Sequence, residues 1–111
     1  MTKEKLAKAI KEILDNKEYD WNTADREELL SVLNDIEEYT QADGDAELYF
    51  DVIRCDHPIA IQVFTKIEIK GRITDVIIDF DMITPSNEND LIDIIWDEYE
   101  KAMENINFFK S

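Results

Sequence analysis

At 111 residues the chain has the length of one domain, and its 27 acidic residues against 12 basic ones leave a net charge of −15. A surface of that sign repels nucleic acid and anionic lipid and draws in basic proteins. The single cysteine, Cys55, excludes an intrachain disulfide and a Cys-rich zinc site.

With 44% hydrophobic residues, five Phe, four Tyr and two Trp, the chain has enough apolar mass to fill one core. The charged start, Met1 to Lys5, lacks the apolar run of a signal peptide. No stretch approaches the roughly 18–20 consecutive apolar residues of a membrane span, so a cytoplasmic location is expected.

In chain order, residues 3–16 are predicted helical, with Leu6, Ile10, Ile13 and Leu14 on one stripe and lysines around the other side. Asn22 or Thr23 is predicted to cap a second helix, with Asp25 and Glu27 in its first turn and Leu29, Val32, Leu33 and Ile36 facing inward. Asp43-Gly44-Asp45 reads as a turn.

Three strands are expected next. Residues 46–55 place Leu48, Phe50 and Val52 on one face, and residues 59–70 place Ile59, Ile61, Val63, Ile67 and Ile69 on one face. Lys70-Gly71 is a tight hairpin turn, which makes the second and third strands antiparallel. In residues 72–83, strict alternation puts Val76, Ile78, Phe80 and Met82 on the core face and Asp75, Asp79 and Asp81 in a row on the other. Tyr49, Ile53, Phe64 and Ile77 fall on the outer face, which implies partial cover there.

Thr84 to Asn87 breaks the third strand and offers caps to a last helix over 88–107, striped by Leu91, Ile92, Ile95, Trp96, Tyr99, Met103 and Ile106. The whole reads as one α+β domain of order ααβββα, a three-stranded antiparallel meander with helices on one face.

Charge is unevenly distributed. Residues 1–17 carry five Lys against three acids, and all the excess acid lies beyond them. In the last helix Asp90, Asp93, Asp97, Glu100 and Glu104 recur at steps of three or four, with Lys101 as the one evident compensation. Like charges at that spacing cost about 0.2–0.5 kcal/mol per pair, so four pairs cost on the order of 1–2 kcal/mol before screening. The second helix sets six acids, from Asp25 to Glu38, against Arg26.

Catalytic and metal patterns fit poorly. Asp43-Gly44-Asp45 resembles the opening of a calcium loop, but Leu48 and Arg54 stand where such a loop needs Gly and Glu. Asp79-Phe80-Asp81 has outward spacing suited to a shared magnesium, without a phosphate-binding glycine loop. Glu68-Ile69-Lys70 resembles half of a restriction-type nuclease site, with no Asp in reach along its strand. His57 is the only histidine and has no zinc-binding companion. Ser31, Ser86 and Ser111 occupy cap-like or exposed positions, so no Ser-His-Asp triad is implied. Cys55 reads as a small buried hydrophobe. Trp21, Trp96, Phe108 and Phe109 read as core or helix-end anchors, Trp21 also as a potential contact hot spot.

The reading that follows is a non-enzymatic, cofactor-free inhibitor whose carboxylate rows occupy a basic nucleic-acid-binding surface. The expected contacts are Asp75, Asp79, Asp81, Asp90, Asp93, Asp97, Glu100 and Glu104. The expected partner is a basic nucleic-acid-binding protein or nuclease, with no direct contact to nucleic acid or membrane. In size and charge the chain resembles the DNA-mimic class of phage and mobile-element proteins that block restriction or CRISPR enzymes. A nuclease-toxin immunity protein would use the same chemistry. The alternatives are a small metal-dependent enzyme using Asp79, Asp81 or Glu68, and a structural or adaptor domain with incidental charge.

Overall fold

The computed structural model describes residues 1–42, 47–54 and 58–110, with side chains described as far as Ile106. The acidic turn at 43–45, Cys55, His57, Phe108 and Phe109 lie outside the described residues and side chains, as does Ser111.

Helix α1 spans Lys3–Asn16 and is capped by Thr2, whose hydroxyl accepts from the Lys5 amide at 3.2 Å. Its stripe of Leu6, Ala9, Ile10 and Leu14 is buried. Helix α2 spans Arg26–Gln41. Its cap is Asp25, not Asn22 or Thr23, and the Asp25 carboxylate accepts from the Glu28 amide at 2.9 Å. The start moves because the chain first turns over Asp20, whose backbone carbonyl accepts from the Thr23 and Ala24 amides. Asp25→Ala should therefore cost about 1 kcal/mol of unfolding free energy, measured by urea denaturation, with little change in the folded circular-dichroism spectrum.

Strands β1 (Tyr49–Arg54), β2 (Ile59–Ile69) and β3 (Arg72–Ile83) form an antiparallel sheet in the order β1-β2-β3. The β2–β3 turn has φ of 52° at Lys70 and 79° at Gly71. Two successive positive values are the type I′ geometry that matches strand twist, which is why Gly stands there. Helix α3 spans Glu88–Lys110. At its start the Asn87 side chain accepts from the Asp90 amide at 2.8 Å, while the Asp90 carboxylate accepts from the Ser86 amide at 2.9 Å. This reciprocal arrangement satisfies amides that a helix start otherwise leaves unpaired.

The architecture is thus α+β with element order ααβββα. One core joins the three helices to one face of the sheet: Leu6 and Ile10 from α1, Leu33 and Ile36 from α2, Phe50, Ile61 and Val63 from the sheet, Leu91 and Ile95 from α3. The core ends before the β2–β3 hairpin does. Ile67 is half-buried and Ile69 is exposed, although both share the face of Val63.

Strand β3 departs from simple alternation. Val63 pairs with Asp79 and Phe64 with Ile77, so Ile78 is an extra residue, a bulge. The bulge reverses the phase of everything after it. Asp79 and Asp81 lie opposite core-facing Val63 and Ile61, on the helix side with buried Ile83. Phe80 and Met82, expected in the core, face away from the helices and are 49% and 61% exposed.

Candidate protein-binding surface

The expected row of Asp75, Asp79 and Asp81 does not form. Asp75 precedes the bulge and lies opposite Lys66 on the sheet face away from the helices, whereas Asp79 and Asp81 follow it and face α3. On the helix side, Asp79 lies within the electrostatic reach of Lys101, Asp81 and Asp97. Its Oδ2 is buried and accepts no hydrogen bond among the described residues. Burial, foremost, pushes the Asp79 carboxyl above the ordinary aspartate range; Lys101 pulls it back and Asp81 adds to the rise.

A raised folded-state pKa means that the fold prefers this carboxyl neutral. Its contribution to stability is lost as pH rises through the ordinary aspartate pKa toward the raised one, and is regained on acidification. Asp79→Asn should accordingly raise the thermal midpoint at neutral pH and flatten its pH dependence in that window, as read by calorimetry at stepped pH. An unchanged midpoint with unchanged pH dependence would contradict the assignment.

The acids of α3 are less isolated than their spacing implies. Asp93 pairs with Lys3 of α1 at 3.0 Å, and Asp97 with Lys101 one turn on at 3.0 Å. The Lys101 ammonium is held charged above its usual range, chiefly by its hydrogen bond to Asp97. Glu100 accepts from the Trp96 indole, and Asp90 is committed to the helix start. Glu104 is exposed and has no hydrogen bond or ion pair among the described residues. The structure therefore corrects the picture of an uncompensated row. It is a ridge in which Asp93, Asp97, Glu100 and Glu104 remain exposed to solvent and two of the four have lysine partners.

Two carboxylates outside the expected set are more constrained. Glu98 is 2% exposed and lies 3.6 Å from the Lys101 ammonium. Its position was visible in the spacing, because 91, 95, 98, 102 and 106 follow one helical face. Glu37 of α2 accepts from the Val52 amide of β1 at 3.4 Å, and its carboxyl is raised by burial first and by the neighbouring Asp51 second. Asp51 in turn accepts from Gln62 at 2.8 Å. This cluster ties α2 to the β1 edge, and no local spacing announces it, since its members come from three elements.

Trp21 is half-buried, packs against the core and meets Tyr19 edge-on with ring centroids 4.8 Å apart, the geometry of an anchor. Among the described residues, no group of three or more His, Cys, Asp or Glu is placed to hold a metal ion. No described helix is long and apolar enough to cross a membrane. No protein-family model, curated protein or solved structure matches the chain.

Proposed function

We propose that this protein acts by docking on the basic, nucleic-acid-binding surface of another protein and blocking it, as an anti-restriction or anti-CRISPR protein or as a nuclease-toxin immunity protein. The observation that carries this reading is the net charge of −15, most of it displayed on ordered helices and strands. On α3, Asp93, Asp97, Glu100 and Glu104 stand exposed at steps of three or four, about 5–6 Å apart. A nucleic-acid strand presents one charge per roughly 3.4 Å, so one such ridge beside a second acidic surface approximates a phosphate track. Lys and Arg that hold phosphates pair equally well with carboxylates.

Asp93 and Asp97 keep this role despite their lysine partners. Exposed ion pairs contribute little and exchange readily, so a cationic partner competes with Lys3 and Lys101 at small cost. Asp81 and Asp75 belong to the contact set on two different faces, Asp79 is set back from it by the burial of its carboxyl, and Asp90 contributes its charge from the helix start.

The test is capture of a basic nucleic-acid-binding protein on the immobilised chain, followed by challenge with salt and with duplex DNA. The expected result is release by both. Retention that neither salt nor DNA disturbs would overturn the reading.

A further inference from the structure

We propose that the sheet face opposite the helices, along β3, is a docking surface for a protein that presents apolar side chains within a cationic surround. The helices cover one face of the sheet only. On the other, the β1–β2 half closes over itself: Tyr49 stacks on Phe64 with ring centroids 5.3 Å apart, Lys66 lies 5.0 Å above the Tyr49 ring, and Ala60 is fully buried. The β3 half stays bare. Ile73, Ile77, Phe80 and Met82 are 77%, 57%, 49% and 61% exposed.

All four point to this face, two by alternation before the bulge and two by the shifted phase after it. Without the Ile78 bulge, Phe80 and Met82 would face the helices and Asp79 and Asp81 would face solvent here. The bulge thus converts an acidic strand face into an apolar one. Soluble chains seldom expose contiguous apolar surface without a partner for it, and a large aromatic among aliphatic neighbours is the usual composition of an interface centre.

Charge decides the occupant. On this face three carboxylates, Asp51, Glu68 and Asp75, stand against the ammonium of Lys66, with Lys70 in the turn at its far end. A second copy would bring the same sign and another −15. A partner with lysines or arginines around an apolar centre satisfies both the bare side chains and their acidic rim. This deepens the function proposed above and rests on it for the sign of the partner's charge.

The probes are three synthetic peptides matched to the 12 residues of β3. One alternates Leu with Lys, one Ser with Lys, one Leu with Glu. Binding is followed by amide chemical shifts, and self-association by sedimentation without peptide. The expected result is that Leu–Lys binds at least about tenfold tighter than Ser–Lys and shifts the amides of Ile73, Ile77, Phe80 and Met82. Ile77→Ser with Phe80→Ser should remove that advantage and leave Ser–Lys binding unchanged. Ile73→Ser, at the most exposed of the four positions, provides the same reading should the double variant fold poorly.

Equal binding of Leu–Lys and Ser–Lys, with shifts confined to α2 and α3, would overturn the docking surface and leave the charge-based function standing. Failure of either lysine peptide to bind better than Leu–Glu would overturn both. Self-association of the chain through the β3 amides would assign the face to a second copy and overturn the proposal.

Discussion

Phe50→Ala should lower the unfolding free energy by about 3–5 kcal/mol, while Phe80→Ala should change it by less than about 1 kcal/mol. Phe50 is fully buried where β1 meets the helices, so truncation removes its transfer energy and leaves a cavity that close-packed neighbours refill only in part. Domains of this size have about 5–15 kcal/mol in total, so the Phe50 variant stands near or below the threshold of folding. Phe80 already gives half its surface to water. Urea titration of the two variants separates the faces of the sheet: comparable losses at both positions would mean that Phe80 lies in the core and that β3 runs without a bulge at Ile78.

The second large effect concerns binding. Replacing Asp93, Asp97, Glu100 and Glu104 together by their amides takes the formal net charge from −15 to −11. The rate of association with a captured basic partner should fall at least about tenfold at low salt, since complementary fields raise encounter rates by roughly 10 to 10³. The difference should shrink as salt screens the charges. Stability should change little, because the lost pairs with Lys3 and Lys101 are exposed and the variant is relieved of like-charge neighbours. Association kinetics by surface plasmon resonance at several salt concentrations checks this. An incidental acidic surface predicts identical rates for the variant and the parent.

Elements with strong periodicity were legible in the sequence. The stripe of Leu6, Ile10 and Leu14, the alternation of Ile59, Ile61 and Val63, and the Lys70-Gly71 turn each follow from one local rule, and the structure bears them out. The facing of β3 was legible as far as Ile77 and not beyond it. A single extra residue inverts the pattern, and Ile78 differs in no visible way from the isoleucine beside it. The cap of α2 moved because Asp20 nucleates a competing turn whose strength no single residue reveals. The charge row on α3 was legible as a helix row, but its compensation was not: Lys3 reaches Asp93 across 90 positions of sequence. Only tertiary packing brings such pairs together. Half of the bare apolar strip along β3 was hidden by the same inversion, since Phe80 and Met82 were assigned to the core, whereas Ile77 was placed on the outer face, where the structure finds it.

Carboxylates on a folded frame, placed where a partner's phosphate-binding cations expect nucleic acid, are the core of the account. Competition tests it most directly. The chain is immobilised, a basic nucleic-acid-binding protein is bound to it, and duplex DNA is titrated in at fixed salt. The account predicts stoichiometric displacement, with the DNA concentration needed falling when Asp93, Asp97, Glu100 and Glu104 are neutralised. A partner that holds the chain and the duplex at the same time, with no loss of either, would contradict it.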